Sequence, residues 1–146
     1  MKKRNLLVAI TLGVAVFFTA CDDDDTTIAK PEVTIMELGE GDSHGNDHTG
    51  VAGSDLHVEV EIVAEGKIDV VQIEIHPEGE HKSAFENEWE VDTTYTKFSG
   101  LKNTTFHEHI DIAEWAEPGE YHFHFIVTDM EGNQSSAESE LEIVEE

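Results

Sequence analysis

The chain has 146 residues, with 33 Asp and Glu against 8 Lys and Arg, nine His and one Cys. That length holds one ordinary domain plus an appendage and excludes a two-domain enzyme. A formal charge of -25 excludes nucleic acid as a partner, because phosphate contacts need a basic surface, and it weighs against anionic lipid head groups for the same reason.

A single Cys excludes a disulfide within the chain and excludes Cys-based zinc knuckles. The hydrophobic fraction of 38%, with 8% aromatics, suffices for a modest core. Self-repulsion among the carboxylates opposes the compact state.

Lys2, Lys3 and Arg4 precede a run from Leu6 to Ala20 that is apolar except for Thr11 and Thr19. A charged start followed by a short apolar stretch reads as a secretory leader. It is too short for a membrane span, which takes about 20 apolar residues. Phe18-Thr19-Ala20-Cys21 resembles a bacterial lipobox, with Phe18 where Leu is usual. The expectation is a leader over residues 1–20, lipidation at Cys21, an acidic tether over 21–31 and a domain over 32–146. Removing the leader takes the basic count from 8 to 5 against 33 acidic residues, so the net charge falls from -25 to -28. Asp22 to Asp25 resembles the surface-export signal of Bacteroidetes lipoproteins. The implied location is the outer membrane, at the cell surface or on the periplasmic side, with acyl chains supplying the attachment.

From Glu32 the hydrophobic pattern has period two. Strands are predicted at Val33–Met36, Leu56–Ile62, Val70–His76, Phe106–Ile112, Tyr121–Thr128 and Leu141–Val144. Residues 80–100 are less regular and are read as holding a short D strand near Thr93–Phe98. Glu65-Gly66-Lys67, Pro77-Glu78-Gly79, Pro118-Gly119 and Glu131-Gly132-Asn133 supply the turns. About seven such strands predict an all-β fold, an immunoglobulin-like antiparallel β-sandwich. Tyr121 stands where such sandwiches place a tyrosine corner. The expected core is Val58, Val60, Ile73, Ile75, Ile110, Phe123, Phe125 and Val127.

Several of these segments also resemble a known family. Lys30-Pro31, Ile73-Glu-Ile-His76, His107-Glu-His109-Ile-Asp-Ile112 and Gly119-Glu-Tyr-His122 are similar to the Bacteroidetes lipoproteins called domain of unknown function 4625. The resemblance covers roughly residues 30–145. It implies an immunoglobulin-like domain on a lipid anchor and no established activity.

All nine His fall between positions 44 and 124. His107/His109 and His122/His124 have His-x-His spacing within predicted strands. On a strand, side chains two apart share a face at about 6–7 Å. That spacing lets two imidazoles converge on one ion at zinc–nitrogen distances of about 2.0–2.1 Å. Sandwich topology pairs the strand of His57 with that of His107 and His109, and the strand of His76 with that of His122 and His124. His44 and His48, with Asp42 and Asp47, lie in a loop placed to close either group, and His81 lies beyond His76. The alternation points these rings outward, away from Val58, Ile75, Ile110 and Phe123. Imidazole suits zinc or copper. Glu59, Glu74, Glu108 and Asp111 are near enough in sequence to coordinate an ion or orient a ring.

Other chemistry finds less support. No Gly-rich phosphate loop occurs, and carboxylate pairs single nothing out in so acidic a chain. Asp129-Met-Glu-Gly-Asn133 offers oxygen ligands for calcium but lacks EF-hand spacing and reads as a turn. Trp89 and Trp115 read as core or corner fillers, Trp115 under the corner before Tyr121. The expected function is non-enzymatic capture of zinc or copper by a lipid-anchored, His-rich protein, with delivery to an outer-membrane transporter. The alternative is an adhesion or assembly module that binds protein or glycan.

Overall fold

The computed structural model describes residues 27–41, 46–79 and 88–145. The leader, Cys21, the Asp22–Asp25 run, His44 and His81 lie outside the described residues. Eight strands follow one another: β1 (Glu32–Glu40), β2 (Thr49–Val51), β3 (Asp55–Val63), β4 (Ile68–Pro77), β5 (Val91–Tyr95), β6 (Asn103–Asp111), β7 (Gly119–Asp129) and β8 (Gln134–Val144). They form two sheets, β1-β3-β6 and β2-β8-β7-β4-β5, in a sandwich.

Period-two alternation builds the core. Tyr121, Phe123, Phe125 and Val127 face inward from β7, and Val71, Ile73 and Ile75 stand beside them on β4, all nearly solvent-free. Every expected core residue is buried. Phe106 of β6 meets Phe125 of β7 edge to face at 4.9 Å between centroids, joining the two sheets. Such a pair adds about 0.5–1.5 kcal/mol beyond its buried area, in a sandwich that lacks an inter-sheet disulfide. The tyrosine corner is present: the Tyr121 hydroxyl donates to the Glu117 carbonyl at 2.8 Å. Burial, then the Glu117 and Glu88 charges, push the Tyr121 phenol above its ordinary value, which keeps it a donor.

Four features depart from the expectation. The strand expected at Thr93–Phe98 runs over Val91–Tyr95 and pairs with β4, from Val71↔Tyr95 to Ile75↔Val91. A D strand would have joined β6 instead. Period two fits either sheet edge, so the pattern alone does not choose. Second, the short β2 runs parallel to β8. Third, β1 extends to Glu40 and carries a bulge at Met36, with Ile35 opposite Val60 and Glu37 opposite Glu59. Fourth, Trp115 does not pack under the corner. It is 57% exposed, while Trp89 packs edge to face on Tyr121.

The β7–β8 turn closes around a buried carboxylate. Asp129 accepts from the backbone N–H groups of Glu131 and Asn133 and from the Asn133 amide, at 3.0, 2.7 and 3.0 Å. Gly66 passes so close that a Cβ there would stand 2.5 Å from the Asp129 Oδ2. The carboxylate is thus consumed by its own turn, and the turn reading prevails over calcium. Burial works against its charge, but the donors from Asn133, Glu131 and Gly132 outweigh that and hold the carboxyl below its ordinary value. A lowered folded value adds stability above the unfolded value near 3.8, and that stability is lost as pH falls through the folded value. Asp129→Asn is therefore expected to cost about 1–3 kcal/mol in urea unfolding at pH 7. The difference from the native chain should shrink once the pH falls below that range.

Candidate metal centre

The outer face of the β1-β3-β6 sheet is laid out by register. One row holds Glu37, Glu59 and His107, the next Gly39, His57 and His109, and the next Asp55 and Asp111. His57 is therefore central in both directions. Gly39 beside it adds no side chain, and the Met36 bulge puts Glu37 on this face. The sequence expectation for His57 needs correction. It points away from the core but is fully buried, because side chains of both flanking strands cover it.

A chain of contacts crosses the face. The His57 Nε2 lies 3.0 Å from the Glu37 Oε2, and the His57 Nδ1 lies 3.4 Å from the His109 Nε2. The His109 Nδ1 pairs with the Asp55 Oδ2. Carboxylates only accept, so the nitrogens facing Glu37 and Asp55 carry the hydrogens. That leaves the His57 Nδ1 and His109 Nε2 turned toward one point. Tetrahedral zinc with bonds of about 2.0–2.1 Å sets neighbouring nitrogens roughly 3.3–3.4 Å apart. The His107 ring stands 4.8 Å from that of His57 and 5.9 Å from that of His109. One ligand atom each from His57, His107 and His109 falls within 4.8 Å of the others, as do those of Glu37, His57 and Glu59. These two groups could hold a metal. A carboxylate behind the His57 ring and another behind the His109 ring fix their tautomers and raise their basicity, the usual support for a metal-bound imidazole.

The other residues expected here are placed differently. His76, His122 and His124 come together on the outer face of β4 and β7, at 5.3 to 6.2 Å between centroids. The His76 and His124 rings stack at 17°. Stacked rings turn their nitrogens sideways, and among the described residues this trio does not gather ligand atoms as the first does. His48 is held by Ser139 and Asn46, at 2.9 and 3.1 Å. Asp47 accepts from the Thr49 N–H. Glu108 does not serve the His face, since it alternates to the opposite side and pairs with Lys97. Glu74 lies opposite His124.

Glu37 and Asp55 were missed in the sequence. Each sits one residue beyond a predicted strand end, where the apolar alternation gives no signal. Gly41-Asp42-Ser43-His44-Gly45 has Gly-x-Ser-x-Gly spacing, which the sequence reading also passed over. That spacing serves catalysis on a strand-to-helix turn. The described residues form strands without a helix, and Asp42–Gly45 lie outside them.

Burial separates the three candidate ligands in their effect on stability. His57→Ala should cost about 1–3 kcal/mol in urea unfolding, by leaving a void where a fully buried ring stood. His107→Ala and His109→Ala, at exposed positions, should each stay within about 0.5 kcal/mol of the native chain.

No curated protein matches the sequence. A solved superoxide reductase (neelaredoxin) from Ignicoccus hospitalis is similar at 10% identity, over 80% of this chain and 82% of that one, with a TM-score of 0.44. The family model described as Domain of unknown function (DUF4625) matches residues 19–144, a span that contains all eight strands. The chain belongs to that family.

Proposed function

We propose that this chain is a lipid-anchored, non-enzymatic protein that captures zinc or copper through His57, His107 and His109. The observation that carries the reading is the 3.4 Å approach of the His57 Nδ1 to the His109 Nε2, with each ring's other nitrogen committed to a carboxylate. Imidazole ligands favour zinc and copper over calcium and magnesium. The surrounding acidic surface raises the local cation concentration. Two of the three rings are exposed, which suits loading and release. In this reading Cys21 carries the acyl chains, the domain stands at the outer-membrane surface, and the ion passes to a transporter there.

Calorimetry with zinc and copper should give about one tight ion per chain. His107→Ala/His109→Ala should abolish it, and His122→Ala/His124→Ala should leave it. Binding should fail below about pH 6, where protons compete for imidazole. Unchanged binding at pH 5, or binding that survives the first double variant, would refute imidazole capture.

The anchor is checked separately. Mass spectrometry of the cell-made protein should find acyl mass on Cys21, and Cys21→Ser should release the chain from the membrane fraction.

A second reading, adhesion to a protein or glycan, draws on the exposure of Trp115. It predicts that Trp115→Ala weakens cell-surface binding while the His variants do not.

A further inference from the structure

The two ends of the sandwich differ in chemistry. His48, His57, His76, His109 and His122 lie toward the end where β6 turns into β7. At the opposite end, β1 begins and the β3–β4, β5–β6 and β7–β8 turns meet. Four of the six large apolar side chains exposed among the described residues are there: Ile28 at 37%, Val63 at 39%, Leu101 at 44% and Met130 at 49%. They belong to one surface. The Met130 N–H donates to the Lys67 carbonyl, the Ile68 N–H to the Leu101 carbonyl and the Ala64 N–H to the Lys102 carbonyl, while Ile28 packs on Gly66.

All four Lys of the described residues, Lys30, Lys67, Lys97 and Lys102, also sit at this end. Lys97 is drawn along the sheet to Glu108 and over the Phe98 ring. The other three stand against Glu32, Glu65, Asp69 and Glu131, with Asp129 spent in its turn, so this cap is near neutral in a chain of charge -25.

We infer that this cap rests on a phospholipid surface. Net charge argues against lipid contact for the chain as a whole, but its distribution does not. Most carboxylates of the described residues lie on the other faces, which anionic head groups repel, and that leaves this end to approach. Its apolar side chains enter the interface, and the Lys stems lie along it with their ammonium groups in the head-group layer.

The tether agrees. Ile28 follows Cys21 by seven residues, a reach of roughly 25 Å at full extension. β7 and β8, at 11 residues each, run roughly 35 Å from end to end. An anchor at Cys21 therefore holds this end down and the His57 face away from the lipid.

In the cell this rests on the acylated Cys21 of the proposed function, so the test supplies the anchor chemically. The buried core lies between Leu38 and Ile143, so the chain from Cys21 onward carries all of it. Its one Cys is coupled to a maleimide phospholipid in phosphatidylethanolamine–phosphatidylglycerol vesicles. Dilute peroxide then oxidises Met130 and Met36, which are 49% and 47% exposed and stand at different heights on the sandwich.

On the vesicle, Met130 should oxidise several-fold more slowly than in the thiol-capped soluble chain, with Met36 unchanged. Lys67→Glu/Lys102→Glu should return Met130 to its solution rate. The inference is overturned if both Met keep their solution rates, if both slow alike, or if the Lys variant stays protected. None of these results depends on whether the cell acylates Cys21, so a failed cap and a failed anchor are told apart.

Discussion

The antiparallel pairing of β3 with β6 runs without a break from Asp55↔Asp111 to Val63↔Asn103. Its inner face supplies Leu56, Val58, Val60, Phe106 and Ile110 to the core. Its outer face sets His57 beside His109 and Glu59 beside His107. A slip of one residue would carry the whole apolar set to the solvent face. The core therefore enforces the register, and the register assembles the histidines. Energy from burying apolar surface is what holds the candidate ligands at 3.4 Å.

A fully buried imidazole needs compensation, because an unmatched polar group in low dielectric costs free energy. His57 has it on one side, where its Nε2 donates to Glu37, and on the other its Nδ1 shares with the His109 Nε2 the point where an ion would sit. Neither the 3.4 Å approach nor the carboxylates behind the rings would be needed for a merely solvated surface. The stacked trio on β4 and β7 shows the contrast. There the imidazoles are partly exposed, and among the described residues His122 and His124 pair only loosely with Glu78 and Glu138, at 3.9 and 3.5 Å.

Much of this was legible in the sequence. Alternation revealed the strands, and sandwich pairing then implied both histidine trios before any coordinates. Other features depended on interactions beyond one strand. The burial of His57 comes from the side chains of both neighbours, which its own segment does not encode. The placement of β5 turned on a choice between two sheet edges that Val91–Tyr95 satisfies equally. Glu37 was hidden because the alternation of β1 breaks at Met36, so its parity could not be extended past the bulge. Trp115 shows that an aromatic beside a corner need not fill it.

The bulge at Met36 also bears on how relatives should be compared. Below it, Val33 and Ile35 are the inward residues of β1, and above it Leu38 is. Odd and even positions thus exchange meaning at one extra residue. A family member with the same number of residues that ran straight here, without the bulge, would send the equivalent of Glu37 toward the core, even with Glu retained there. Identity along this strand is therefore a poor guide to shared chemistry, and the residue that each position faces on β3 is the better one.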